Sequence, residues 1–496
     1  MFKSIDVKRV LILCFLGSLF RIIYGLRYEP WLLAPDHSAW ELIIEKGVFR
    51  YDHLIHYPHE GGTILISLIS LLVEFVTDFS SLAISAILID FVVRFLQISV
   101  VEKVFGKSIG LLFGVWTIFS TPTIIPWGVL NFGLHSISSV FPFLLILFFS
   151  QKEQSIKQNL CAGIFLGLVV WFSYSNLILI PAFFIFKLFE PNNTRNLFYA
   201  LLSLIGVLIF HLMVRAFFDA GFHLSQIGLM SIRGESFSLT EIDFLDRLTS
   251  LPRIIANSGI ALEDPLIPVK ASRLIYYLYG VLSIVGFYAI YKREKINQSI
   301  YFICGVVILF LLSYIFSPFF HLEKSIHFIS FRHLTYILPL IALIIINGLA
   351  ALKQRWVVIT FLVFVFFQSI QMFTMRKPQV DVINKRAIGW VLGTKFGHDP
   401  HQLIAIIEDD KAESQMLIQG IGWGISTAIM TNDQIKFQDK INQQVDLFFK
   451  YPISYHEDLL EGIEFSYSDK VKPKLDQDLM NEVEEKIRKR SATPSN

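Results

Sequence analysis

With 496 residues, 54% of them hydrophobic and only 17% charged, and a mean hydropathy of +0.56, the chain is too apolar for a water-soluble protein and belongs in a bilayer. Lys and Arg number 43 against 41 Asp and Glu, and the formal net charge of +2 excludes the basic field that gathers nucleic acid. Cys14, Cys161 and Cys304 all lie inside apolar segments, which excludes a disulfide framework or a cysteine-based zinc site.

A spanning helix needs about 20 mostly apolar residues, because each rises about 1.5 Å through a hydrocarbon core about 30 Å thick. Eleven crossings are predicted on that rule: 9–26, 62–78, 81–101, 108–125, 132–150, 159–187, 196–215, 272–291, 298–317, 333–351 and 356–375. The first holds Arg21 and is followed by RYEPW instead of a small-residue cleavage pattern, so it is expected to stay as an anchor. The segment 159–187 carries Ser173, Ser175, Asn176 and Pro181 and is predicted to be kinked or broken while crossing once. Clusters at Lys3, Lys8 and Arg9, at Lys292, Arg293 and Lys295, and at Lys353 and Arg355 agree in parity as cytoplasmic loops. The N-terminus is then cytoplasmic and the C-terminus extracytoplasmic. Lys103, Lys107, Lys152 and Lys157 fall outside on this parity, and two half-helices in 159–187 would reverse everything before them.

The expected fold class is an all-α polytopic membrane protein with a small α/β C-terminal soluble appendage. Residues 1–375 form the membrane domain with outer loops 27–61, 216–271 and 318–332. Residues 376–470 form the appendage, with LIAIIED and VDLFF as short strands, and 471–496 a charged amphipathic helix and disordered tail. No internal repeat of the kind many secondary transporters carry is visible.

The first outer loop concentrates acids, imidazoles and aromatics: Asp36, His37, Glu41, Asp52, His53, His56, His59 and Glu60. SAWELIIEKG reads as a short amphipathic helix with Trp40 and Ile43–Ile44 toward the membrane surface and Asp36 and His37 at its entrance, where Asp36 or Ser38 serves equally well as a helix cap. His53, His56, His59 and Glu60 have ligand chemistry for a divalent ion, but Pro58 breaks the helix that would align them and no HExxH is present, so no metal ligand is assigned. Inside the spans, Asp90 and Arg94 lie four apart and are expected to pair, while Arg21, His211 and Arg215 near span ends are expected to snorkel. Before the tenth span, Lys324, His327, Arg332 and His333 suit either a bound phosphate or lipid headgroups. Gly420, Gly422 and Gly424 spell GxGxG without a surrounding βαβ unit, which argues against a dinucleotide fingerprint.

Three stretches together, PDHSAWELIIEKGVFRYD, HYPHEGGTILISL and FRHLTYILPLIALIIINGLAAL, give the chain a layout that resembles the GT-C superfamily of membrane glycosyltransferases. That group includes protein O-mannosyltransferases and the aminoarabinose transferases acting on lipid A. The chain departs from the group in having Tyr57–Pro58–His59–Glu60 where many members have paired prolines, and in lacking a DxD motif. The resemblance implies an inverting transfer of a sugar from a polyprenyl-phosphate donor to a hydroxyl of a lipid, glycan or protein acceptor, on the extracytoplasmic face of what is expected to be a bacterial plasma membrane. It makes Asp36 the catalytic acid of the first outer loop and Arg332 the cation near the lipid-linked phosphate. Lys324, His37, His59 and Glu60 are expected to bind substrate, with a divalent metal ion as a conceivable cofactor and membrane lipids as surroundings. A transporter or flippase of a lipid-linked saccharide, working through Asp90 and Arg94, and a catalytically silent scaffold of the same fold are the alternatives.

Overall fold

A computed structural model describes residues 5–28, 35–45, 61–76, 81–121, 124–130, 134–149, 155–188, 193–218, 245, 269–292, 298–316, 334–351, 355–371, 382–397, 399–407, 411–430, 437–466 and 477–491. The elements in chain order are α1 (Val7–Tyr28), α2 (Pro35–Glu45), α3 (Gly61–Glu74), α4 (Ser81–Phe105), α5 (Lys107–Phe119), α6 (Leu134–Ser138), α7 (Val140–Phe149), α8 (Ile156–Phe172), α9 (Leu179–Leu188) and α10 (Asn193–Phe218). There follow α11 (Val269–Tyr291), α12 (Gln298–Phe316), α13 (Leu338–Ala351), α14 (Arg355–Gln371), α15 (Val382–Phe396), α16 (Pro400–Ile407), α17 (Lys411–Met430), α18 (Phe437–Phe448), α19 (His456–Ser466) and α20 (Gln477–Ser491). Four stretches are helical, long and apolar enough to cross a membrane: Val7–Tyr28, Leu82–Phe105, Arg195–Met213 and Leu334–Ala351. The other apolar helical stretches searched among the described residues run to 10–17 residues, so eleven full-length crossings are not what the described residues contain.

Contacts fix the direction of each helix. The near end of the bundle is defined here as the end where α1 begins. There the Asp6 amide donates to Glu102 Oε1 at 2.9 Å and Arg9 pairs with Glu102 at 2.6 Å, so α4 ends where α1 starts. Leu13 fills the space beside Gly114 and Gly17 lies against Ile118, so α5 runs parallel to α1. Gln97 donates to Ser139 at 2.9 Å as α6 and α7 descend beside α4. Gly163 packs on Ala200 and Gly167 on Val207, which makes α8 and α10 parallel, and α9 must therefore return between them. Lys187 at the end of α9 is buried under the rings of Phe149 and Phe183, and Phe186 meets Phe302, which brings the ends of α7 and α9 and the start of α12 to one level. Ser369 of α14 reaches the Ser120 carbonyl at 3.0 Å at the far end.

Two expectations change together. The run 62–78 does not pass through the bundle: α1 finishes and α4 starts at the far end, and α3, about 21 Å long at 1.5 Å per residue, is too short for the hydrocarbon core. Its first turn packs Gly62 and Ile66 on Leu134 and Phe172, while Leu71 lies against the C-terminal helices. Residues 159–187 break as expected but pass twice. α8 stops at Phe172, Ser173 is extended, and the turn Tyr174–Ile178 leads into α9. Asn176 is buried there and donates to the Val169 carbonyl at 2.8 Å and to Ser138 Oγ at 3.1 Å, covering backbone that the break exposes. The two changes cancel in parity, so everything after α10 keeps its expected direction. They also move Lys103, Lys107 and Lys157 to the near end, with Lys8, Arg9, Arg195, Lys292 and Arg355, while Arg27, Lys270 and Arg273 lie at the far end.

The C-terminal part contains no strand among its described residues, so the α/β appendage is corrected to an all-helical unit. LIAII belongs to α16 and VDLFF lies at the end of α18, where Leu403, Ile406 and Ile407, and likewise Ile441, Val445 and Phe448, are buried at the three- and four-residue spacing of a helix. GxGxG is a packing device. Gly389 and Gly393 of α15 face the backbone of Leu417 and Ile421, Gly420 and Gly424 face that of Arg386 and Trp390, and Gly462 of α19 faces Gln419, leaving no room for a Cβ. α20 shares this core through Val483 and Ile487 and pairs Arg490 with Asp446 of α18 at 2.7 Å.

Candidate functional site

α2 begins with Pro35, whose missing N–H is no loss in a first turn. Asp36 and His37 therefore lie within the helix instead of at its entrance, and an acid in the first turn is favoured by the helix dipole. The Asp36 side chain lies outside the described residues, as do His59, Glu60, Lys324 and Arg332 in their entirety. His37 is fully buried, with Nε2 3.4 Å from the carboxylate of Glu41 one turn on. Ala39, Trp40, Ile43 and Ile44 do not face the membrane surface. They are buried at 1–3% exposure in one core with Leu82 and with Ile388, Val391 and Leu392 of α15, so the C-terminal unit clamps α2 at the far end. Sequence reading missed this clamp, although Gly389, Gly393 and Gly397 at four-residue intervals advertise a helix built for close packing.

The second polar site lies within the bundle. Asp90 Oδ2 accepts from Arg94 Nε at 2.7 Å, as expected, and also lies 2.8 Å from Arg21 Nε. Arg21 is 1% exposed and does not snorkel. Its Nη1 donates to the carbonyls of Gly17 and Ile118 at 3.1 and 3.2 Å, and its Nη2 reaches the Thr117 carbonyl and Ser120 Oγ at 3.3 Å. Arg94 donates to the Cys14 carbonyl at 2.8 Å and to Ser18 Oγ at 2.7 Å. Glycine is required where these guanidiniums lie, since a Cβ at Gly17 would overlap Arg94 and one at Gly128 would overlap Arg21. One carboxylate thus holds two cations whose other partners are backbone and hydroxyl oxygens. The adjoining cavity, lined by Ala86, Asp90, Trp127, Leu130 and Ser136, measures only about 10 Å³, far below the roughly 300–1,000 Å³ of typical ligand pockets.

Among the described residues no group of three or more His, Cys, Asp or Glu is placed to hold a metal ion, and His53, His56, His59 and Glu60 lie outside them. Comparison with known family models, curated proteins and solved structures finds no match for the chain.

Proposed function

We propose that the protein is an integral membrane glycosyltransferase of GT-C type that moves a sugar from a polyprenyl-phosphate donor to an acceptor hydroxyl on the extracytoplasmic face. The observation that carries the reading is the position of α2. Its first turn, with Asp36, lies at the end of the bundle opposite Lys8, Arg9, Lys103, Lys107 and Lys157, and is clamped by the C-terminal helices. Basic residues mark the cytoplasmic side of short loops, so the near end is cytoplasmic and α2 extracytoplasmic, with several crossings between them.

In this reading the donor's tail lies in the bilayer and its phosphate at the surface. Asp36 removes the proton of the acceptor hydroxyl, whose oxygen attacks the anomeric carbon from the side opposite the leaving phosphate and inverts it. Negative charge grows on that phosphate as the bond breaks, and Arg332 and Lys324 stabilise it. His59 and Glu60 orient sugar and acceptor. His37, buried against Glu41, acts here by holding the turn that carries Asp36. Asp90 and Arg94 are structural in this view, because the Asp90 carboxylate is shared between Arg21 and Arg94, and Arg94 donates otherwise to the Cys14 carbonyl and Ser18 Oγ, which leaves the transporter alternative without a free charge on that pair.

The experiment is a comparison of envelope glycolipids and glycoproteins by mass spectrometry in a deletion strain rescued with wild type or with Asp36→Asn at equal membrane levels. Wild type is expected to restore a sugar-sized mass shift, and Asp36→Asn to lose it by about 100-fold or more, the scale of a general base. Full rescue by Asp36→Asn overturns the reading.

A further inference from the structure

The close glycine packing of α15 on α17 has a second effect: it brings together large side chains that neighbour the glycines in sequence. Trp390 and Trp423 meet with ring centroids 5.5 Å apart and tilted by 41°, and Trp423 meets Phe465 of α19 edge to face at 5.1 Å. Arg386 lies over the Phe465 ring at 4.9 Å. It also donates to Gln419, which in turn donates to Glu461 Oε2 at 2.7 Å. The three rings and Arg386 are partly exposed, whereas the opposite face of the same helices is buried among Ile418, Ile421 and Ile425. The indole nitrogens of Trp390 and Trp423 and Arg386 Nε are buried beneath this face, so what it presents to solvent is ring carbon and the outer end of the guanidinium.

From this we infer that the aromatic array Trp390–Trp423–Phe465, rimmed by Arg386 and Glu461, is a saccharide-binding platform. A pyranose has C–H faces that lie on aromatic rings and a rim of hydroxyls that both donate and accept. The array offers three partly exposed rings, with a guanidinium and an exposed carboxylate beside them. Glu461, with its side chain 55% exposed, opposes an anionic headgroup or phosphate and leaves a neutral polyhydroxyl ligand as the complementary chemistry. That the platform holds a glycan acceptor for transfer rests on the function proposed above; binding itself does not.

The test uses the full-length protein in lipid nanodiscs, titrated with mannohexaose, maltohexaose and chitohexaose by isothermal calorimetry and saturation-transfer NMR. Saturable binding of at least one probe is expected, weakened about 10-fold in Trp423→Ala and retained in Trp423→Phe, as the loss of one aromatic contact implies. Asp36→Asn is expected to bind the same probe unchanged, so a failure of the transferase reading leaves this result standing. Absence of binding to all three probes by the wild type overturns the proposal. So does unchanged binding in Trp423→Ala. In nanodiscs of brominated phosphatidylcholine, quenching of wild-type fluorescence that vanishes in Trp390→Phe/Trp423→Phe would place the array in the membrane interface, and that outcome overturns it as well.

Discussion

Asp90 carries an electrostatic burden that neither arginine shares. Removing its charge with Asp90→Asn leaves two guanidiniums buried against neutral carbonyl and hydroxyl oxygens, and breaking a buried pair in this way costs about 3–5 kcal/mol. The expected outcome is loss of the folded protein or a large fall in Tm in detergent, read by thermal shift. Ser18→Ala, which removes a single acceptor from Arg94, is expected to cost about 1–3 kcal/mol. An opposite, smaller effect is expected at Glu464. Burial, and then the neighbouring Glu484 and Glu461 carboxylates, raise its pKa above the ordinary carboxylate value. A carboxyl whose folded pKa is raised stabilises the fold while protonated, and that contribution is lost as pH rises through the ordinary value toward the folded one. Glu464→Gln should therefore raise the Tm of the C-terminal unit slightly at pH 7, by no more than about 0.5 kcal/mol for so exposed a site, and have no such effect at pH 4. Differential scanning calorimetry at both pH values checks it.

At the scale of elements, the helices that sequence places best are those whose letters carry a local signal. Ser173, Ser175 and Asn176 announce a break because their side chains bond to backbone, and the break falls where they are. Apolar runs shorter than a helix carry no such signal, and LIAII and VDLFF read as strands until the three- and four-residue spacing of their buried positions is seen with their flanks. Hydropathy also says that 62–78 is apolar but not which way the next helix runs, since direction is a long-range property set by contacts such as Arg9 with Glu102. Of the candidate site, the Asp90–Arg94 pair was legible, while the third partner, Arg21, and the clamp on α2 depend on residues far away in the chain. The glycines of α15 and α17 test the clamp. Gly420→Leu forces the side chain into the Arg386 carbonyl and the backbone around Gly389, and overpacking of this kind costs about 1–3 kcal/mol or more. Limited proteolysis should then cut the C-terminal unit faster while the membrane helices stay intact; equal cleavage rates for variant and wild type would mean that the close packing is dispensable.

For the whole molecule, the decisive property is which residues share a side. The contacts of α1, α4, α8 and α10 put Lys8, Lys107, Lys157 and Lys292 at one end, and the core shared by α2 and α15 puts the C-terminal unit at the other. This arrangement needs α3 to turn back within the far half and 159–187 to pass twice, so each of the two departures from the hydropathy reading requires the other. Labelling with a membrane-impermeant maleimide separates the two schemes, because they assign Lys107 to opposite sides. In a variant whose three native cysteines are replaced by serine, single cysteines at Lys8, Lys107 and Lys292 should all be modified from the same face of sealed vesicles. A cysteine at Glu461 should be modified from the other face. If Lys107→Cys is instead labelled together with Glu461→Cys, α3 crosses the bilayer and α8 with α9 forms a single span. The near-end gathering of basic residues would then be lost, and with it the argument that places Asp36 on the face where lipid-linked sugars would be used.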